Sequence, residues 1–218
     1  GRIHDSESCH LGSSPSPAAM KKQIIFIHGG ETFDTYNDYI KYLKNCEFDP
    51  YKNKEKKWKD SLEKKLGSNF EVIMPTMPNK YNAKYAEWKI WFKKIIPYIK
   101  NNVTLIGHSL GGIFIAKYLS ENKFPKKILA TYLISSPYDD RDSQYSSADF
   151  VLPKDLKKLT KQGGRIFLYH SQDDTIVPFN ALDKYAKALP GAEKIIFKDR
   201  GHFLQEKFPN LIKSIKKL

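Results

Sequence analysis

One five-residue pattern restricts the fold more than any other part of the sequence. Gly107, His108, Ser109, Leu110 and Gly111 stand between an apolar stretch that predicts a strand and a stretch that predicts a helix. A serine between glycines at such a junction forms a sharp turn that lifts its hydroxyl clear of the sheet. The pattern therefore predicts an α/β protein with this serine at the carboxyl edge of a parallel sheet.

The rest of the chain alternates short apolar stretches with helical patterns, which predicts a mainly parallel sheet of about six strands with helices on both faces. The short stretches are apolar at consecutive positions, as expected of strands that are buried on both faces. The predicted strands are Ile24–His28, Glu71–Met74, Val103–Gly107, Ala130–Ser135, Arg165–His170 and Lys194–Phe197. The predicted helices are Tyr85–Lys100, Gly112–Glu121, Asn180–Leu189 and Lys207–Lys217.

Two polar connections, residues 31–70 and 137–164, interrupt this alternation. Neither is long enough for a separate domain, so we expect no large lid, although either could form a small flap. Residues 1–19 are rich in Ser and Pro and carry no hydrophobic periodicity. They are interpreted as an expression-tag remnant, with a natural flexible tail as the alternative, and residues 20–218 are predicted to form a single domain.

The composition narrows the range of partners. The net charge of +13 comes mostly from dispersed lysines without a basic block, so no nucleic-acid partner is predicted. No apolar run approaches the ~20 residues of a transmembrane helix, so no stable membrane insertion is expected. Cys9 falls in the predicted remnant and leaves Cys46 alone, which favours a reducing compartment. Without a signal-peptide pattern, this indicates a cytoplasmic protein of undetermined oligomeric state.

A serine at a strand–helix turn becomes a nucleophile only with a base and an orienting acid, which follow it in the order acid, then histidine. Asp174 comes after the predicted strand Arg165–His170 and four residues before Pro178, and it is the predicted acid. Asp173 is the alternative, or a turn or cap residue. His202 lies between the last predicted strand and the last predicted helix, and it is the predicted base.

The other residues of the site are predicted from their positions next to these groups. An oxyanion hole needs two backbone N–H donors. We expect one from Leu110, directly after the serine, and the other from Gly30, with Glu31 as its alternative. Phe33 and Tyr36 follow this loop and are predicted to border the substrate pocket. The remaining histidines of the predicted domain are interpreted as structural residues: His28, His108 and His170.

Taken together, these motifs resemble the α/β-hydrolase family over nearly the whole chain after Met20. The motifs that carry the resemblance are Gly107–Gly111, Asp174–Pro178, Gly201–His202 and His28–Gly30. Within that family, the segment Pro75–Pro78 with Trp88 and Trp91 is similar to small, lidless serine hydrolases of the retinoblastoma-binding-protein-like group. The helical spacing of the two tryptophans predicts that both pack in the core.

The resemblance implies a serine hydrolase that works through an acyl-enzyme and needs no metal or organic cofactor. We expect a small-molecule carboxylic ester with a short-to-medium acyl chain as the substrate. Thioesterase, peptidase or lyase chemistry on the same residues remains an alternative, as does a catalytically silent binding protein. Ser109 argues against dehalogenase-like relatives, which use Asp at this place, and against dienelactone-hydrolase-like relatives, which use Cys.

Overall fold

The computed structural model describes residues 21–51, 55–141 and 145–218, so the predicted tag remnant lies outside the described residues. Its six strands form one parallel sheet in the order β2-β1-β3-β4-β5-β6. This confirms the prediction of a mainly parallel sheet of about six strands. The strands are β1 (Lys22–Ile27), β2 (Phe70–Ile73), β3 (Val103–His108), β4 (Ile128–Ile134), β5 (Arg165–Ser171) and β6 (Glu193–Phe197).

The helices connect successive strands, and three of them were not predicted. Two of the three, α1 and α2, lie in the connection 31–70, and α5 lies in the connection 137–164. In the described parts of these connections the chain forms short helices and turns rather than a large lid. The helices are α1 (Tyr36–Asn45), α2 (Leu62–Leu66), α3 (Tyr85–Ile95), α4 (Leu110–Glu121), α5 (Lys157–Gln162), α6 (Asn180–Ala188) and α7 (Pro209–Lys216).

Two hydrophobic cores cover the two faces of the sheet. Successive side chains of a strand point to opposite faces, so Ile25 and Ile27 of β1 pack on one side, with buried residues of α3, α4, α5 and α6. Ile24 and Phe26 pack on the other side, with buried residues of α2 and α7. Because both faces are covered, the predicted layering of helices on either side of the sheet is confirmed.

Two predictions about helix α3 are wrong, namely its last residue and the burial of Trp91. It ends at Ile95, five residues before the predicted boundary, and a 3₁₀ turn that contains Pro97 follows it. Proline has no N–H for the next helical hydrogen bond. Trp88 is fully buried, as predicted, but Trp91 is 43% exposed because it stands at the edge of the apolar stripe.

The order of the strands locates a crevice. Strand β2 pairs with one edge of β1, and β3 pairs with the opposite edge. The strand order therefore reverses at β1. Ligands of open parallel sheets bind beyond the carboxyl ends of the strands where the order reverses, here between β1 and β3. None of the helices in the described residues is long and apolar enough to cross a membrane.

Candidate active site

Ser109 stands at the turn between β3 and α4 in a strained backbone conformation. Its φ is 55° and its ψ is −125°. The Ser109 amide donates to the carbonyl of Ile134, 2.9 Å away, and the Ser109 carbonyl accepts from Gly112 N at 2.8 Å. A Cβ on Gly107 would lie 2.6 Å from the Cα of Gly112, so only glycine lets the helix start this close to the strand. The sequence therefore forms the predicted turn.

Asp174 lies in the loop after β5, where it is buried and accepts several hydrogen bonds. Its Oδ2 accepts from the Ser135 hydroxyl at 2.7 Å, and its Oδ1 accepts from the amides of Ile176 and Val177 at 2.9 and 3.1 Å. Burial alone would raise the pKa of Asp174, but the hydrogen bond and charge of His202, together with these donors, hold it well below its usual range. Asp174 is thus prepared to remain ionised beside a histidine.

The structure brings His202 to Asp174, 28 residues away along the chain. The His202 Nδ1 lies 3.1 Å from Oδ1 and 3.0 Å from Oδ2 of Asp174. Since a carboxylate only accepts, Nδ1 carries the proton and Nε2 is the nitrogen available as a base.

Ser109 and His202 both line one cavity of about 570 Å³. Among the hydrogen bonds of the described residues, none joins the Ser109 hydroxyl to the His202 ring. In enzymes without substrate such catalytic contacts are often long and tighten only in the complex. The geometry therefore presents a formed acid–base pair and a serine on the same cavity wall.

His108, within the serine turn, holds the backbone of His202. Its Nε2 lies 2.8 Å from the His202 carbonyl oxygen, and the two rings are 4.9 Å apart between centroids. A carbonyl only accepts, so the proton of neutral His108 is on Nε2. Burial, and then the charge of His202, lower the pKa of His108 to about 3. His108 is therefore a neutral donor that links the serine turn to the loop of the predicted base.

Two further contacts fix the loop that carries His202. The Trp58 indole Nε1–H donates to the carbonyl of Phe203 at 2.8 Å, from a segment far earlier in the chain. The Gly201 amide donates to Asp173 Oδ1 at 2.8 Å. Asp173, the alternative acid in the sequence, thus binds the backbone next to His202, whereas the ring contacts Asp174.

Three residues at these groups have strained backbone conformations. Ser109, Ser135 and Phe203 have positive φ values of 55°, 42° and 52°. Each such residue costs about 1–3 kcal/mol and persists only where the surrounding structure enforces it. All three belong to the predicted reacting groups or adjoin them: Ser109 is the serine itself, Ser135 donates to Asp174, and Phe203 follows the predicted base.

The backbone amides favour Gly30 over its alternative as an oxyanion donor. The Glu31 amide donates to the carbonyl of Lys80 at 2.8 Å and is therefore engaged. Within the described part of the chain the Gly30 amide has no such partner, and Leu110 is the first residue of α4, whose amide has no partner inside the helix. A Cβ on Gly30 would lie 2.7 Å from the Lys80 carbonyl oxygen, so the loop requires glycine here.

His28 and His170 have structural contacts. The Met77 amide donates to His28 Nε2 at 2.9 Å, while His28 Nδ1 contacts the Gly29 carbonyl oxygen at 2.5 Å. His170 Nε2 lies 3.0 Å from the carbonyl oxygen of Val177. Burial lowers the pKa of both histidines, which favours their neutral forms. Across the residues that the structure describes, no group of three or more His, Cys, Asp or Glu is arranged to hold a metal ion.

The structure does not bring Phe33 and Tyr36 to the cavity. The loop reaches the cavity as far as Thr32 and then turns away into α1. The Phe33 ring packs against Tyr39 and Tyr42, and Tyr36 is 68% exposed. The expectation that these two side chains border the pocket therefore does not hold in this conformation, because the start of α1 directs them elsewhere.

Other aromatic residues line the cavity instead, and sequence reasoning missed most of them. Trp58, Tyr81 and Tyr145 are on its wall, with Glu31. Trp58 stands in a lysine-rich stretch and Tyr145 in a polar one, where no periodicity marks them. Ser135, at the end of β4, could have been found from its position at the same sheet edge as Ser109.

Comparisons with known proteins identify the family of the chain. The serine hydrolase family matches residues 50–211, more than half of the chain. The chain is similar to Serine hydrolase RBBP9 of Rattus norvegicus, with 26% identity over 149 residues, 68% of this chain and 78% of the rat protein. It is also similar to Putative hydrolase YdeN of Bacillus subtilis, with 22% identity over 192 residues, 86% of this chain and 88% of that protein.

Solved structures share the same architecture. The crystal structure of the B. subtilis ydeN gene product aligns with a TM-score of 0.72 at 20% identity, over 90% of this chain and 98% of that one. An esterase from Exiguobacterium antarcticum aligns with a TM-score of 0.59 at 16% identity, over 92% and 93% of the two chains. At these identities the likeness establishes the fold, which is the predicted α/β-hydrolase fold.

Proposed function

The chain belongs to the serine hydrolase family, and from that premise we propose that it cleaves carboxylic esters through Ser109, His202 and Asp174. One observation carries the proposal. The Asp174 carboxylate holds the Nδ1 side of His202 at 3.0 and 3.1 Å, on the cavity that also contains the strained Ser109 turn. A base oriented by a buried acid beside a serine is the arrangement that nucleophilic acyl transfer requires.

The proposed reaction proceeds in two acyl transfers. His202 Nε2 takes the proton of the Ser109 hydroxyl as its oxygen attacks the ester carbonyl, and the same proton then leaves with the alcohol. Water, deprotonated by His202, attacks the acyl-enzyme and releases the carboxylic acid and free Ser109. Asp174 stabilises the imidazolium that forms in each step.

The backbone supports the charge that develops on the substrate. The amides of Leu110 and Gly30 are the proposed donors to the oxyanion, and the N-terminus of α4 adds its dipole at the same place. Loss of one such donor typically lowers turnover by ~10²–10³-fold. A cavity of about 570 Å³ supports a substrate with a short-to-medium acyl chain. The esterase among the structural neighbours supports the same reaction class.

The free, exposed thiol of Cys46 is consistent with a reducing compartment, and we propose the cytoplasm as the site of the reaction.

Labelling with a fluorophosphonate, followed by peptide mapping, tests the nucleophile, and p-nitrophenyl esters of increasing acyl length test the reaction. We expect label on Ser109, and a loss of hydrolysis in Ser109→Ala of at least about 10³-fold. Ser68→Ala is the matched control, because Ser68 is exposed in the turn before β2. An unlabelled Ser109, or a fully active Ser109→Ala protein, would contradict the proposal. Labelling of Ser109 without turnover of any ester would favour thioester, peptide or lyase chemistry.

A further inference from the structure

Glu31 lines the cavity that contains Ser109 and His202, and hydrogen bonds fix its backbone there. The Glu31 amide donates to the Lys80 carbonyl at 2.8 Å, and the Glu31 carbonyl accepts from the Ala83 amide at 2.8 Å. Both bonds attach the loop after β1 to the segment before α3. Two backbone hydrogen bonds of this kind hold Glu31 at a fixed place on the cavity.

The Glu31 carboxylate is half-buried and has no hydrogen bond or ion pair within the described part of the chain. Burial raises its pKa, and the charge of His202 opposes this. A partly desolvated carboxylate without a partner costs free energy, which a cation in contact with it would recover. The mechanism proposed above assigns no task to this group.

Tyrosine side chains surround the same end of the cavity. Tyr81 and Tyr145 line it and are 58% and 51% exposed, so a ligand would find aromatic surface there. Tyr81 directly follows Lys80, whose carbonyl accepts from the Glu31 amide. Tyr145 directly precedes Ser146, whose hydroxyl donates to Asp34 at 2.7 Å, three residues after Glu31. Aromatic faces attract cations, and the Lys80 ammonium already lies over the Tyr81 ring at 4.9 Å.

Three lysines also line the cavity, Lys57, Lys59 and Lys80. Lys59 and Lys80 lower the pKa of His28, and the Lys80 ammonium lies over the Tyr81 ring. Among the ion pairs of the described residues, none joins a lysine to the Glu31 carboxylate, so this negative charge is not neutralised by direct contact. A substrate cation would find its complement at the Glu31 end.

We propose that Glu31, together with Tyr81 and Tyr145, binds a positively charged group of the substrate, an ammonium carried by the acyl or the alcohol part of the ester. This inference rests on the proposed function, because it assigns the substrate class of the same site. Charge-assisted contacts are the stronger kind of hydrogen bond or ion pair, so Glu31 would contribute to specificity for such esters.

Isosteric substrate pairs test the proposal at constant ionic strength. Butyrylcholine and 3,3-dimethylbutyl butyrate differ in the alcohol part only by a quaternary nitrogen in place of carbon. The p-nitrophenyl esters of 4-(trimethylammonio)butyrate and 5,5-dimethylhexanoate differ in the acyl part in the same way. The quantity measured is the ratio of kcat/KM for the cationic ester to kcat/KM for its neutral partner, in the wild-type protein and in Glu31→Gln.

We expect wild-type protein to prefer the cationic member of at least one pair, and Glu31→Gln to lower that ratio by about 10- to 100-fold, mainly through KM. The control is Glu47→Gln, which removes an exposed carboxylate outside the cavity and should leave the ratio unchanged. Thermal unfolding of both variants verifies that the fold is retained.

Other results would overturn the proposal. A ratio that is the same in wild-type and Glu31→Gln protein for both pairs removes the assigned role. An equal loss of activity toward cationic and neutral esters would mean that Glu31 acts on His202 and does not bind the substrate cation. Ser109 labelling with indifferent hydrolysis of all four esters refutes only the charge preference. Absence of both labelling and hydrolysis refutes the proposed function as well.

Discussion

Two segments that each adjoin cavity-lining residues are built in opposite ways. The loop 198–208, here called the base loop, carries His202 and buries Phe203 and Phe208 completely in the core. The segment 33–51, here called the rim segment, contains α1, which buries none of its residues. Two aromatic side chains farther along it, Phe48 and Tyr51, are 85% and 90% exposed.

Hydrogen bonds follow the same division. The base loop is held by three separate parts of the chain, through His108, Trp58 and Asp173. The rim segment is held by its own capping contacts, by the Lys84 ammonium on the Phe33 carbonyl, and by an exposed hydrogen bond from the Ser146 hydroxyl to Asp34. Regions with few buried contacts open at low free-energy cost, whereas core-linked regions open only with the global structure. The comparison therefore separates a rigid base loop, which carries His202, from an adaptable rim segment.

The largest effect is expected where the base loop meets the acid. Asp174→Asn keeps the shape of the side chain but removes the charge that fixes the His202 tautomer. We expect kcat to fall by roughly 10³–10⁴-fold while Ser109 remains in place, by analogy with the serine protease triad. Steady-state kinetics on a p-nitrophenyl ester measure this. A decrease of less than tenfold would mean that the rigid side of the cavity does not perform the chemistry.

Acid stability sharpens the comparison, because the buried histidines belong to the rigid side. His108 has a folded pKa of about 3 against 6.5 when unfolded. Between these values the unfolded chain binds one more proton, so stability rises with pH and is lost as the pH falls below 6.5. From pH 6.5 to 5, His108 alone removes about 2 kcal/mol. His28 and His170, whose pKa values burial also lowers, act in the same direction.

Urea unfolding at pH 7, 6 and 5 measures this dependence. In His108→Gln the amide of the new side chain keeps a donor for the His202 carbonyl but does not titrate. Its stability should therefore depend less on pH, by about 1 kcal/mol per pH unit on average between pH 7 and 5, and by up to one proton, or 1.4 kcal/mol per pH unit, near pH 5. An unchanged slope in this variant would show that His108 is not a buried neutral group.

The sequence predicted the rigid side of the cavity far better than the rim. The strand ends and the Ser109 turn follow from local patterns, because consecutive apolar residues and glycines at fixed offsets determine them. The tether from Trp58 to Phe203 joins residues 145 positions apart and has no local signal. Phe33 was placed at the pocket by proximity along the chain, which does not record that the start of α1 turns it away.

A smaller effect is expected from the tether between the acid loop and the base loop. Asp173→Ala removes the acceptor of the Gly201 amide, which frees the backbone before His202. The Ser171 hydroxyl loses the same acceptor. We expect kcat to fall by about 3- to 10-fold with little change in KM, since these bonds position the base loop and do not contact the substrate. Asp173→Asn retains a carbonyl acceptor and should recover most of the activity. If KM changed and kcat did not, Asp173 would act on the substrate instead.

The smallest effect on activity is expected in the rim segment. Thr35 caps α1, where its hydroxyl accepts from the Asp38 amide at 3.2 Å and its own amide donates to the Asp38 carboxylate at 3.2 Å. Loss of such a cap costs about 1 kcal/mol. Because α1 buries no side chain, Thr35→Ala should destabilise the helix locally, with kcat/KM on a neutral ester unchanged.

Hydrogen exchange and kinetics measure the two parts of this prediction. Exchange of the α1 amides in Thr35→Ala should accelerate by about fivefold, while exchange in β3 and β4 stays the same. Ser171→Ala is the matched control, because it removes a hydroxyl that accepts from the Arg200 amide at 2.9 Å, within the base loop. It should lower kcat and leave α1 exchange unaffected. If Thr35→Ala lowered kcat as much as Ser171→Ala does, the rim segment would be coupled to the chemistry. The contrast between a rigid base loop and an adaptable rim segment would then fail.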